Sequence, residues 1–107
     1  MLPDITHLQF AVLSVLLDGE KAGRDVREEL AEHHGVRKSG PALYQMMARV
    51  EDDKFVRGWY VEKVIDGQRI KERRYEITAA GKRVCEDVRT YYAANSRRGV
   101  KARWANA

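Results

Sequence analysis

Apolar residues recur at three- and four-residue spacing through the first half of the chain and give way to a β-branched and aromatic stretch in the second. Leu8, Ala11, Val12, Val15 and Leu16 form one helical stripe that runs to about Leu17. Thr6 with Gln9 three residues later supplies a capping box at its start. Asp18-Gly19 ends it, with Gly19 available for a left-handed cap. A second helix is predicted from about Ala22 to His34. Ala22, Val26 and Leu30 face inward, while Arg24, Arg27, Glu28, Glu29 and Glu32 lie mostly outward, and Gly35 closes it. Ser39 is the next N-cap, and Pro41 suits the first turn that follows. Leu43, Met46, Met47 and Val50 give a third stripe, ending near Asp53, with Tyr44, Gln45 and Arg49 on the other side.

From Phe55 to Ile65 the residues favour strand: Val56, Trp59, Tyr60, Val61, Val64 and Ile65. Asp66-Gly67 is a hairpin turn signal leading into Arg69 to Ile77. Thr78 caps a last helix whose broad face carries Val84, Val88, Tyr91 and Tyr92, with Cys85 beside them. The order is three helices, a hairpin and a helix. This is a mainly α protein with a small β-hairpin (α+β), the winged helix-turn-helix arrangement with a C-terminal dimerisation helix. The expected organisation is a DNA-binding domain over residues 1–77, a dimerisation helix over 78–96, and a basic tail over 97–107 expected to be flexible. Trp104 in that tail has no assigned role.

Length and composition narrow this picture. A chain of 107 residues allows one domain, and its last helix is more apolar than a lone domain needs, which predicts a homodimer. The single cysteine, Cys85, excludes an internal disulfide and a cysteine-cluster metal site. A buried structural thiol is its favoured role. No apolar run approaches the ~20 residues of a membrane span, and the N-terminus lacks a signal-peptide pattern. The expectation is a cytoplasmic protein with no membrane partner. His7, His33 and His34 form no metal pattern, and the last two suit the C-terminal end of a helix dipole. There is no nucleophile motif, phosphate loop or paired-carboxylate motif, so no enzyme, metal or cofactor is expected.

The formal net charge is +4, mild for a nucleic-acid binder. Its position says more than its size. From Arg37 to Arg74 there are ten basic residues against six acidic, an excess equal to that of the whole chain. The third helix and the hairpin, or wing, are therefore the candidate face for double-stranded DNA. Gln45 can read adenine and Arg49 guanine through paired hydrogen bonds, with Lys38 also near base edges and Tyr44 and Ser39 on phosphate. The alternative places Tyr44 at the edge of the core and Gln45 as solvated surface. Arg37 and Lys38 sit beside a helix N-terminus, itself a phosphate site. At the wing, Lys63, Gln68, Arg69 and Lys71 would lie along the backbone or minor groove. Trp59 is expected to cover the core beneath the wing.

The segment Ala42-Leu43-Tyr44 with Met47-Ala48-Arg49-Val50-Glu51, the pair Phe55-Val56 followed by Trp59, and Arg73-Arg74-Tyr75-Glu76-Ile77-Thr78-Ala79-Ala80-Gly81 together resemble the PadR family of transcriptional regulators. The resemblance runs from about Leu8 to Tyr92. It implies a repressor that binds a palindromic operator as a homodimer joined through the C-terminal helix at Val84, Val88, Tyr91 and Tyr92. It also implies, for some members, a small aromatic effector. Pro41 and Ala42 stand where the family usually carries glycine and threonine, and Ala22-Gly23-Arg24 where it often carries His-Gly-Tyr. The alternative function is a winged-helix protein-interaction module without sequence-specific DNA binding, suggested by the acidic run Glu51-Asp52-Asp53 and by Pro41 and Ala42.

Overall fold

The computed structural model describes residues 5–97. Helix α1 spans His7–Val15 and tightens into a 3-10 turn at Leu16–Asp18. Strand β1 is Lys21–Ala22, α2 is Gly23–His34, α3 is Gly40–Asp52, β2 is Val56–Ile65, β3 is Gln68–Ile77 and α4 is Ala79–Arg97. The strands form an antiparallel sheet in the order β1-β3-β2. This is the winged-helix fold: α2 and α3 form the helix-turn-helix, and the β2–β3 ribbon is the wing.

Local chemistry sets most of these boundaries. The Thr6 hydroxyl oxygen accepts from the Gln9 N–H at 3.0 Å while the Gln9 side chain accepts from the Thr6 N–H at 3.0 Å, the reciprocal capping box. Ser39 caps α3 by accepting from the Ala42 N–H at 3.2 Å. Gly35 closes α2 in the left-handed region. The wing turns at Asp66 and Gly67, both with positive φ, as a type I′ hairpin requires.

Three expectations are corrected. The hairpin is joined by β1, so the sheet has three strands, and Ala22 belongs to that strand while α2 begins at Gly23. Lys21 and Ala22 have too little pattern to signal a strand; they become one by pairing with Tyr75 and Arg74. Gly19 adopts φ 139° and ψ 175°, an extended mirror conformation rather than a left-handed helical cap. It redirects the chain from the 3-10 turn into β1. Trp59 does not cover the core. Antiparallel partners share a face and neighbours alternate, so Val56, Gly58 and Tyr60 share one face with Ile77, Tyr75 and Arg73, while Trp59 lies on the other with Arg74. Val56 and Tyr75 are buried, which marks theirs as the core face. Trp59 is half-buried on the opposite face, with the Arg57 guanidinium 4.5 Å from its ring centroid.

The core joins α1, α2, α3, the base of the wing and α4. Leu13, Leu16, Leu30, Leu43, Met47 and Val50 are its largest fully enclosed side chains together with Val12, Val26 and Cys85. Burial pushes the Cys85 thiol pKa up, with nearby Arg89 opposing, so the thiol stays protonated and unreactive. Among the described residues no helix is long and apolar enough to cross a membrane. The basic residues Arg98, Lys101 and Arg103, with Trp104, lie outside the described residues.

Candidate nucleic-acid interface

Helix α3 buries Leu43, Met47 and Val50 and leaves Tyr44, Gln45 and Arg49 exposed. Among the described residues, the side chains of Gln45 and Arg49 have no hydrogen-bond or ion-pair partner. Their full hydrogen-bonding capacity is free for a ligand. Ser39 uses one lone pair as the N-cap, which leaves its O–H free to donate. Tyr44 is 45% exposed, with its ring edge over Gly23. A Cβ there would come within 2.9 Å of the Tyr44 hydroxyl, so only glycine leaves the ring its place.

The ten cations between Arg37 and Arg74 divide into two groups. Arg57 pairs with Glu76 at 2.6 Å, Lys63 with Glu72 at 3.1 Å, Arg73 with Glu51 at 2.8 Å, and Arg74 with Glu72 at 2.9 Å and Glu20 at 3.7 Å. Arg37, Lys38, Arg49, Lys54, Arg69 and Lys71 have no ion-pair partner among the described residues. Register then sorts the wing. Arg69 and Lys71 fall on the face shared with Tyr75, which turns toward α3. Lys63, opposite Ile70, and Gln68, opposite Ile65, fall on the Trp59 face. Of the four wing residues picked out from sequence, Arg69 and Lys71 thus join α3 on one side, and Lys63 and Gln68 do not.

The wing is held to α3 by Arg73, which sequence reasoning counted only as charge. Its Nη2 donates to both Glu51 carboxylate oxygens, at 2.8 and 3.0 Å. Its guanidinium carbon lies 4.7 Å from the Tyr60 ring centroid and 5.6 Å from that of Tyr75. Gly58 makes room for this clamp, since a Cβ there would lie 2.6 Å from Glu51 Oε1 and 2.7 Å from Arg73 Nη2. Desolvation works against the Arg73 charge, but hydrogen bonding and charge attraction from Glu51 and Tyr75 together outweigh it, and its pKa is raised. Burial raises the Tyr75 pKa, with Arg73 opposing. Tyr44, Ala48 and Glu51 of α3 face Tyr60, Arg73 and Tyr75 across a cleft of about 430 Å³.

Glu72 is the second tie. Its carboxylate meets Lys63 and Arg74, and reaches Arg24 of α2 at 3.5 Å. Hydrogen bonds from Lys63 and then Arg74 hold its pKa below the usual carboxylate value, against a smaller desolvation effect. A depressed carboxylate pKa adds stability above the unfolded pKa, about 4.3 for Glu, and loses it as pH falls through the folded value. Glu72→Gln is therefore expected to lower stability at neutral pH and to make the loss of stability below about pH 4.5 shallower. Urea unfolding across pH checks this; curves that stay parallel at all pH values would contradict it.

On α4, Val88 is buried and Val84 packs against the chain's own core. Tyr91 and Tyr92 meet edge to face at 5.4 Å between ring centroids, with Tyr92 40% exposed. Among the described residues no group of three or more His, Cys, Asp or Glu side chains could hold a metal.

The sequence profile of the transcriptional regulator PadR-like family matches residues 12–87. No match is found among curated proteins. Among solved structures, the chain is similar to Bacillus subtilis PadR in complex with operator DNA, at 24% identity and a TM-score of 0.65 over 77% of this chain and 47% of that one. It thus spans about half the length of the Bacillus subtilis protein. It is similar over a greater share of two others. A PadR family transcription regulator from Clostridium difficile matches at 15% identity and a TM-score of 0.72, covering 86% of this chain and 93% of that one. A PadR-like regulator from Bacillus cereus matches at 20% identity and a TM-score of 0.67, covering 89% of each. At these identities the structures establish the shared fold.

Proposed function

This chain belongs to the PadR-like family of transcriptional regulators, and from that premise we propose that it is a repressor that binds a palindromic operator in double-stranded DNA as a homodimer. The observation that carries this is the sorting of charge. Arg37, Lys38 and Arg49 around α3, and Arg69 and Lys71 on the wing face turned to it, have no ion-pair partner among the described residues. Gln45 stands exposed among them. Free cations supply affinity and position, and Gln45 and Arg49 supply base reading. The operator complex of Bacillus subtilis PadR supports the assignment.

The protein-interaction alternative rests on the acidic run at the end of α3 and on Pro41 and Ala42. Two of its three members have partners within the fold: Glu51 holds Arg73, and Asp53 accepts from the Gln9 side chain at 3.4 Å. The acidic run therefore no longer favours a docking protein over DNA.

Dimerisation follows from the C-terminal helix. Because Val84 and Val88 lie against the chain's own core, Tyr91 and Tyr92 are the main offering to a partner copy, with the valines at its edge. A dimer places two copies of α3 to read half-sites about one helical turn apart. Selection from a random duplex pool is expected to enrich an inverted repeat, and sedimentation at micromolar concentration to show a dimer. A monomer, or enrichment of no site, would defeat this reading.

A further inference from the structure

Tyr44, Ala48 and Glu51 stand four and three residues apart, so they share one face of α3. Across from them, Tyr60 of β2 and Arg73 and Tyr75 of β3 share one face of the wing. The cleft between the two faces, about 430 Å³, falls within the roughly 300–1,000 Å³ of small-molecule sites. Its walls are aromatic. Tyr44 and Tyr60 are 45% and 64% exposed, so each offers uncovered ring surface, while the buried Tyr75 closes the inner end. Ala48 is exposed and small; a longer side chain there would fill the space.

The ion pair in the cleft has bonding capacity left. Arg73 Nη2 alone spans both Glu51 oxygens, at 2.8 and 3.0 Å. A carboxylate has about four lone-pair sites, so each oxygen can accept again. The Arg73 Nε and Nη1 donors are left for Tyr75 and for a ligand. Acceptors and donors thus stand side by side between aromatic walls. Further along the same wing face come Lys71 and then Arg69, each step of two residues adding about 7 Å. Neither has an ion-pair partner among the described residues, although Glu62 lies opposite Lys71 in the strand pairing.

We infer that this cleft binds a free guanine nucleotide, with the base between Tyr44 and Tyr60, its N1–H and N2–H on Glu51, its O6 on Arg73 and its phosphates on Lys71. Stacking on tyrosine suits any base. The Glu51–Arg73 pair selects among bases, because guanine presents two adjacent N–H donors with O6 beside them and adenine presents no such row. Base pairing uses that same edge, so it is open only on an unpaired base. The cations lie only toward the wing tip and Tyr75 closes the other end. That suits one terminal phosphate group better than a strand passing through, which favours a free nucleotide over single-stranded nucleic acid. Tyr44 and Lys71 are among the residues proposed for the operator, so bound nucleotide displaces DNA. This last step rests on the DNA-binding reading, whereas nucleotide binding itself does not.

The test titrates the full chain, without DNA, with GDP, ADP and pyrophosphate in a calorimeter. GDP is expected to bind about tenfold more tightly than ADP, and pyrophosphate more weakly than either. E51Q should erase the preference for GDP, since an amide has one acceptor oxygen where the carboxylate has two. Y60A should weaken both nucleotides about tenfold, the loss of one stacked ring. Glu51 also holds the wing, so A48L supplies a variant that spares the clamp. Leucine keeps α3 helical and fills the cleft, and GDP binding should vanish while Tm holds. A48L that binds GDP as wild type does would overturn the site, as would equal binding of GDP and ADP to wild type. A single strand carrying one guanine that binds more tightly than GDP would overturn the free nucleotide in favour of nucleic acid. GDP is then added to the complex with the selected duplex and is expected to release it. Binding of GDP without release would overturn the competition and leave the site standing. Wild type that prefers no duplex would overturn the regulator reading, while the GDP titration still decides the cleft.

Discussion

Q45A/R49A is expected to bind the selected operator roughly a thousandfold more weakly than wild type while folding and dimerising as before. A side chain bonded to a base edge through two hydrogen bonds contributes about 1–3 kcal/mol of discrimination. Two such losses come to about 4 kcal/mol, or three decades in affinity. The fold should not register the change. Both side chains are exposed and, among the described residues, unbonded, and alanine is the best helix former. The residual binding should keep most of its salt dependence, because only Arg49 carries charge. This pattern is the reverse of the one expected for Lys71→Ala on the wing, where the salt slope falls and the site preference stays. Titrating selected and random duplexes with each variant separates the two. Preserved preference in Q45A/R49A would mean that α3 is not the reading element.

Much of this arrangement is legible in the sequence because it is local. Thr6 with Gln9, Ser39 before Pro41, Gly35 and Asp66-Gly67 each satisfy a backbone demand within four residues, and each performs that role in the structure. What was missed depends on partners far along the chain. β1 exists only because β3 lies beside it. Trp59 faces outward because register, not size, assigns faces. Once the turn is fixed at Asp66-Gly67, counting alternate residues back from Tyr75 puts Lys71 and Arg69 on its face, and Trp59 and Lys63 on the other. The state of each cation was not available in that way. Nothing near Arg73 in sequence predicts that Glu51, 22 residues earlier, neutralises it, or that Gly58 leaves room for the pair. The sequence count of charge was right in total and silent on which cations are free, and the freedom is what bears on DNA. Arg27 reads in sequence only as part of an outer helical face, because its bond to the Lys38 carbonyl forms across the turn, 11 residues on.

Gly81→Ala is expected to destabilise the protein by about 2 kcal/mol, lowering Tm by roughly 10 °C for a domain of this size. Pattern alone marks Gly81 as a blemish near the start of α4, where alanine would add up to about 1 kcal/mol of helix propensity. The structure reverses the sign. A Cβ at Gly81 would press directly on the Phe55 carbonyl oxygen and lie 2.7 Å from Ile77 Cγ1. The carbonyl cannot swing away freely. It accepts the Thr78 N–H at 3.0 Å, while the Thr78 hydroxyl donates to the Lys54 carbonyl at 2.7 Å and accepts from the Gly81 N–H at 3.0 Å. One threonine thus ties the end of α3, the start of β2 and the cap of α4 into a knot, with Gly81 at its tightest point. Lys54 at φ 68° is part of the same turn, so relief on that side would strain a residue already in the left-handed region. Overpacking costs about 1–3 kcal/mol, or more where backbone must move, which exceeds the propensity gain. Two other glycines calibrate the result. The atoms nearest a Cβ at Gly58 are the ends of the Glu51 and Arg73 side chains, and Gly40, inside α3, has open space around it. The expected order of Tm is therefore Gly40→Ala at or above wild type, Gly58→Ala below it, and Gly81→Ala lowest. Calorimetric melts of the three variants decide it, and a Gly81→Ala protein as stable as wild type would show that the Phe55–Thr78 junction is looser than its hydrogen bonds imply.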